Sequence, residues 1–411
     1  MLSIVFAALL TQSVPWGTGE SKGEDLTITL ATFGPGTSLE SWWGHSAMVV
    51  EDQRLQQARL YNYGMFDFST GFLHKFVQGR LEFWVADTEY VKGTYDLYRQ
   101  HDRDVRLQEL NLTPAQRVVL ARSLADNVLP ANRDYLYHHY NDNCSTRPRD
   151  LIDRALGGQL LKATAAPARM SLREQTRRYS YVSAPMSLVL DYLQNDELDR
   201  PITEREEAFL PDELERQLDL LKVVGPDGAL QPAVARKAYF HQSKEGPKVP
   251  DQAPEWTLQL LLFGIALGAL GFALSRFSRR SRLGRLAWGG LNALLGLGWG
   301  SLGVFLFVVG LFTNHTVAHR NENLFLINPI TFAALPLGLM IAFGSTRART
   351  GLRWAWTALA ATAVLGVVAK VLPMFDQQNW NLIALVLPVS VAMAASTWLD
   401  HRRGSAPSSV T

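Results

Sequence analysis

The rhythm of apolar and polar positions changes near residue 254. Before it, apolar residues come in short, mixed patterns. After it they form four long runs, at 256–274, 286–312, 324–343 and 354–372, with a fifth from about 381 to 399. A bilayer core takes roughly 20 consecutive apolar residues, and a globular core has no need of such stretches. The second half therefore predicts five transmembrane helices. The run at 286–312 exceeds the bilayer requirement, which predicts tilt or a partly interfacial course.

In the first half, residues 26–31 (Leu-Thr-Ile-Thr-Leu-Ala) alternate with period two and predict a strand. The second half of 41–50 reads as a buried strand, and 60–68 is aromatic-rich and strand-like. Weaker strand signals lie at 80–86 and 94–99. Thr113-Pro114-Ala115-Gln116 opens a helix to about Asn127, with Thr113 as N-cap, Pro at the first position and Gln116 completing a capping box. Leu151, Ile152, Ala155 and Leu156 recur at helical spacing, ended by Gly157-Gly158. Pro148 is tolerated only in a first turn, so that helix starts near 144–146. Residues 158–214 are more helical, and 225–254 reads as a Pro/Gly/Lys-rich stem. The resulting division is an α+β soluble domain at 24–222, a stem at 223–254, a five-helix membrane domain at 255–400 and a tail at 401–411.

Charge then sets orientation. One set of loops carries Arg276, Arg279, Arg280, Arg282 and Arg285, then Arg347, Arg349 and Arg353, then Arg402 and Arg403. The opposite loops carry Arg320 alone. The positive-inside rule places the first set, and the C-terminus, in the cytoplasm. Five spans then put everything before residue 256 on the outer face of the membrane. The apolar stretch 2–10 is too short to span and fits a signal peptide over 1–20, although basic residues ahead of it are missing. The net charge of +2 is smaller than the excess from the cytoplasmic arginines. No basic patch interleaved with aromatics occurs in the outer domain, so nucleic acid is not an expected partner.

The single cysteine, Cys144, excludes an intramolecular disulfide and a cysteine-based zinc site. Its flanks are polar and asparagine-rich, unlike those of a structural thiol. At a helix start, free amides and partial positive charge are expected to lower a thiol pKa and to hold an oxyanion. A nucleophilic thiol needs a base. Of His45, His74, His101, His138, His139 and His241, His45 stands out: Gly44 precedes it and a buried strand follows. In the loop between apolar runs, His315, His319, Asn321 and Asn323 either line a channel or cap helices. A metal at His315 and His319 is not expected, with Glu322 the only acid beside them, and no cofactor is called for.

A histidine at an early strand start and Asn-Cys at a later helix start resemble the circularly permuted papain-like arrangement of NlpC/P60-related and lecithin:retinol acyltransferase-like proteins. Longer segments sharpen the likeness. Trp43-Gly44-His45-Ser46, Tyr61-Asn62-Tyr63-Gly64-Met65-Phe66-Asp67-Phe68 and Asn141-Asp142-Asn143-Cys144-Ser145-Thr146-Arg147 resemble the periplasmic domain of the Lnb-type lipoprotein N-acyltransferases. Phe209-Leu210-Pro211 and the loop from His315 through Asn321-Glu322-Asn323-Leu324 to Asn328-Pro329 look like the same family, which joins that domain to five transmembrane helices.

The resemblance implies a thioester mechanism with Cys144 as nucleophile and His45 as general base. Asn62 would be the orienting third group if the strands at 43–50 and 60–68 pair antiparallel, with Asp67 as its rival. Asn143 would position the cysteine loop or donate to an oxyanion, or else simply cap the helix. Arg147 would meet a lipid phosphate, or stay solvated. Trp43, Ser46, Asp142 and Ser145 would support the site. The acyl donor implied is a membrane phospholipid and the acceptor the lipidated N-terminal cysteine of a diacylated apolipoprotein. Two alternatives stay open: a membrane-anchored cysteine peptidase or amidase acting on cell-wall peptide, and a non-enzymatic membrane-tethered sensor or scaffold.

Overall fold

A computed structural model describes residues 14–67, 71, 75 and 77–404. The chain forms two compact units: one of Met1–Phe76, Arg80–Leu172 and Pro201–Asp251, the other of Val77–Gly79, Arg173–Arg200 and Gln252–Thr411.

The first unit is built on a seven-stranded sheet. Its strands are β1 (Leu26–Phe33), β2 (His45–Asp52), β3 (Gln57–Met65), β4 (Glu82–Thr88), β5 (Val105–Leu110) and β6 (Asp134–Leu136), joined by a strand at Val234–His241. The order is β6-β4-β3-β2-β1-β5 and then Val234–His241, with every neighbouring pair antiparallel. Period-two alternation sorts the side chains of β1 and β2 to two faces. Leu26, Ile28, Leu30, Met48 and Val50 join one core with Leu120, Leu124, Leu151 and Ile152. Those residues come from α2 (Pro114–Asn127) and α3 (Thr146–Ala155). Ala31, Phe33, Ala47, Val49 and Leu60 form the other core, with Val91 and Tyr95 of α1 (Val91–Gln100). Both faces are thus covered. The Thr113 capping box and the helix start just after Cys144 stand as expected.

Two expectations about this unit need correction. Residues 94–99, expected as a strand, lie inside α1, because Val91 and Tyr95 recur at helical spacing toward the sheet. The presumed stem at 223–254 contains the edge strand Val234–His241, whose partner β5 supplies the backbone hydrogen bonds that its polar sequence does not advertise. The segment expected as a leader at 1–20 contributes side chains to the first core. Val14 and Trp16 are buried in the first core, and Trp16 Nε1 donates to Tyr61 Oη at 2.8 Å. Residues 1–13 lie outside the described residues.

Among the described residues, the second unit holds four helices long and apolar enough to cross a membrane: α6 (Thr257–Phe277), α7 (Arg282–Phe312), α9 (Arg347–Ala369) and α10 (Trp380–Gly404). The run expected as a continuous helix at 324–343 is broken. Thr316–Phe325 and Pro329–Ala342 form a pair bent by 61°, the latter ending in α8 (Ala334–Ala342). The cause is Asn328-Pro329: the proline has no amide to continue a helix, and the Asn328 side chain caps a fresh start by accepting from Ile330 N. Counting the pair as one span gives the expected five. At 31 residues α7 runs about 46 Å. Gly289 and Gly338 let α7 and α8 touch; a Cβ on either would lie 2.5 Å from the other's carbonyl oxygen.

Helices α4 (Leu172–Tyr179) and α5 (Ala184–Leu193) contribute to this unit, although sequence placed them with the soluble domain. Buried polar bonds hold the segment in place. Asn323 Nδ2 donates to the carbonyls of Asp191 and Tyr192, and Asn195 Nδ2 donates to those of Thr316 and His319.

Candidate active site

Gly44 has a φ of 73°, and a Cβ there would lie 2.9 Å from Phe33 O, so glycine is required for the chain to enter β2 against β1. His45 follows as the first residue of β2. Its Nε2 lies 2.6 Å from Asn62 Oδ1 on β3, which makes Nε2 the protonated nitrogen and leaves Nδ1 to accept a proton. Phe33 and Tyr98 stack parallel at 3.8 Å beside the imidazole, with ring centroids 6.1 and 6.4 Å from it. Burial lowers the His45 pKa to about 4, against the hydrogen bond it donates to Asn62, which raises it; the positive charge of Arg103 lowers it further.

Cys144 is half-buried beside the α2–α3 core, on the turn leading into α3. Asn143 builds this turn: its Oδ1 accepts from the amides of Ser145 and Thr146 at 2.8 and 2.9 Å. Its Nδ2 donates to the carbonyls of His139 and Phe209. Ser145 Oγ donates to Ala208 O at 2.8 Å. Burial pushes the thiol up to about 11, while the backbone amides of Ser46 and of Cys144 itself, and then the charge of Arg103, favour the thiolate. The expected acidification by the helix start is therefore outweighed by desolvation. At neutral pH the pair rests as thiol and uncharged imidazole. The Ser46 amide at the thiol brings β2 and the α3 start together one residue from His45.

Two further donors belong to this neighbourhood. A Cβ at Gly64 in the β3 bulge would lie 3.9 Å from both Cys144 Cβ and Tyr135 Oη, and that hydroxyl is buried without a hydrogen bond. Arg103 donates from Nε to Gly34 O at 2.7 Å and lies 4.7 Å over the Tyr98 ring. Its Nη2 is buried and unbonded, and its charge reaches both His45 and Cys144. Sequence reasoning missed Arg103, Tyr98 and Tyr135; an isolated arginine after a helix carries no local signal.

The other sequence-derived residues take different places. Asp142 and Arg147 form a bidentate pair at 2.5 and 3.0 Å, and Arg147, its side chain 27% exposed, lies 3.7 Å over the Tyr135 ring. Trp43 Nε1 and Ser46 Oγ are buried without hydrogen bonds, and the Trp43 ring meets His139 edge-on. Asp67 is exposed; Phe68 and His74 lie outside the described residues. His241 pairs with Asp102 at 3.0 Å.

His315, Asn321 and Asn323 lie in the second unit. There Asn321 Nδ2 donates to Tyr192 O, and Asn323 Oδ1 accepts from Asn379 Nδ2. Both asparagines are buried and bonded within the fold. No cluster of three or more His, Cys, Asp or Glu side chains suited to a metal occurs among the described residues.

Residues 12–178 match the family described as the Lnb N-terminal periplasmic domain. No curated protein and no solved structure matches the chain. The matched stretch contains Trp16, His45, Asn62, Arg103 and Cys144.

Proposed function

We propose that this protein, built on an Lnb N-terminal periplasmic domain, is a membrane-bound lipoprotein N-acyltransferase of the bacterial inner membrane. Its soluble unit faces the periplasm and its C-terminus the cytoplasm. The observation that carries the reading is the His45–Asn62 pair beside a thiol whose sulfur meets the Ser46 amide. The papain-like arrangement of nucleophile, base and orienting amide is part of this proposal.

In the first half-reaction His45 Nδ1 takes the Cys144 proton as sulfur attacks an ester carbonyl of a membrane phospholipid. Asn62 holds the ring and receives the Nε2 proton's hydrogen bond. The oxyanion is met by the amides of Ser46 and Cys144, with Arg103 Nη2 and Tyr135 Oη as further donors. The carbon–oxygen bond breaks, and the imidazolium returns its proton to the leaving alkoxide, releasing a lysophospholipid. In the second half-reaction the α-amino group of a diacylated apolipoprotein attacks the thioester. His45 takes the amine proton, the carbon–sulfur bond breaks, and the proton passes to the thiolate. Two bilayer-anchored substrates are brought together by tethering, which gives the apolar helices a catalytic purpose.

Intact mass of the protein purified from membranes tests the reading. An acyl increment on Cys144, released by hydroxylamine, is the expected result. Unchanged N-acylation of lipoproteins in a deletion strain, with altered wall-peptide crosslinks, sinks it in favour of a peptidase.

A further inference from the structure

At one end of the second unit, the turn between α6 and α7 and the turn between α8 and α9 border a cavity of about 810 Å³. Its walls include Arg279, Arg285, Arg349 and Arg353, and among the described residues no acidic side chain lines it. Four cations in one concave surface repel one another and gain from an anion between them.

Arg353 is the telling member. It is 8% exposed, with its guanidinium 4.8 Å over the Trp398 ring and 5.8 Å from that of Trp354. Its Nε is buried without a hydrogen bond, and so is Nε of Arg285. A buried guanidinium with an unmet donor is unfavourable unless an acceptor arrives. Arg349 is already oriented, donating to Ser278 Oγ and Ser278 O at 3.1 and 3.4 Å. Thr346 and Thr350 line the same space, and Trp288 and Ile341 give it an apolar wall. Arginines serving only to orient the chain need to be charged and on the correct side, not walled in or paired with indoles.

We propose that this cavity binds a phosphate-bearing anion, and that its occupant is the headgroup of an anionic phospholipid. The guanidinium fork matches phosphate oxygens two at a time, and the hydroxyls complete the shell. The apolar wall suits a headgroup that continues into acyl chains, and Leu283, Leu286 and Phe343 nearby are exposed apolar residues suited to those chains. Basic recesses between membrane helices hold anionic headgroups by this chemistry.

The test uses the full-length protein in neutral detergent, titrated with short-chain phosphatidylglycerol, with diacylglycerol of the same chains, and with inorganic phosphate. Binding is followed by native mass spectrometry and by melting temperature. Phosphatidylglycerol is expected to bind at least tenfold tighter than diacylglycerol, to raise the melting temperature, and to weaken as potassium chloride rises. Arg285→Gln and Arg353→Gln are each expected to lower its affinity about tenfold or more, with Arg353→Lys in between. Inorganic phosphate that binds as tightly as the lipid supports the phosphate site and makes the free ion its ligand. Equal binding of phosphatidylglycerol and diacylglycerol, or binding indifferent to salt, overturns the proposal. That comparison needs only the wild-type chain, so it stands even if the variants fail to fold.

Discussion

His45 and Asn62 are hydrogen-bonded at 2.6 Å although they are not opposite each other in the sheet. Asn62 pairs with Ala47, so the bond runs diagonally across β2 and β3. A neutral amide in this place orients the ring without supplying the negative charge that would hold an imidazolium. Burial therefore governs, and the imidazole stays uncharged through the physiological range.

That gives a pH signature. With His45 at about 4, the acidic limb of kcat/KM is expected near pH 4 rather than near 6.5. Asn62→Asp places a carboxylate against Nε2 and is expected to move that limb upward by a unit or more. A pH–rate profile on both proteins checks it; an unmoved limb removes His45 as the titrating base.

Cys144→Ala is expected to abolish the hydroxylamine-sensitive adduct and turnover. His45→Ala is expected to keep the thiol, titratable in unfolded protein, but to slow acylation by about 10²–10⁴-fold. Full complementation by either variant at normal abundance excludes an enzymatic role for the pair.

Arg103→Gln is expected to lower kcat/KM by about 10²-fold through loss of a charged donor at the reacting centre. Arg103→Lys keeps the charge without the fork, and partial activity is the expected outcome. Wild-type turnover in Arg103→Gln would show that its unbonded Nη2 has no part in the reaction.

Trp16→Ala removes a fully buried indole from the sheet core and is expected to cost about 3–5 kcal/mol, read as a fall in melting temperature. Trp16→Phe keeps most of the packing but strands the Tyr61 hydroxyl, at about 1–3 kcal/mol. A stability unchanged by Trp16→Ala would mean that the segment after residue 13 is not part of the folded unit.

Acid should weaken the first unit. His45 and His139 are each lowered to about 4 from 6.5, chiefly by burial. The unfolded chain therefore binds more protons between those values, and stability falls as pH drops from about 6.5 toward 4. The shift corresponds to on the order of 3 kcal/mol per histidine. Denaturant midpoints at pH 7 and pH 4.5 measure it. His139→Gln is expected to flatten part of the slope.

Local patterns determined a good deal by themselves. Apolar runs of bilayer length marked the helices of the second unit, because run length is a one-dimensional property. The Thr113 capping box and Pro148 marked the starts of α2 and α3, because caps are met by residues three or four positions away. Gly44-His45 ahead of a buried strand and Asn143-Cys144 ahead of a helix singled out the candidate pair.

The rest was decided in three dimensions. Sequence offered Asn62 or Asp67 as the third group; the β2–β3 register brought Asn62 to the ring and left Asp67 exposed. Asn143 turned out to be engaged on every side by contacts from residues up to 66 positions away. Val234–His241 looked like a stem because an edge strand borrows its hydrogen bonds from a partner more than a hundred residues back. Arg103 enters the site by the path of the chain after α1, which no local pattern encodes. The helix start suggested an acidic thiol, and burial reversed that sign. Desolvation depends on everything packed around an atom, and only the tertiary structure specifies it.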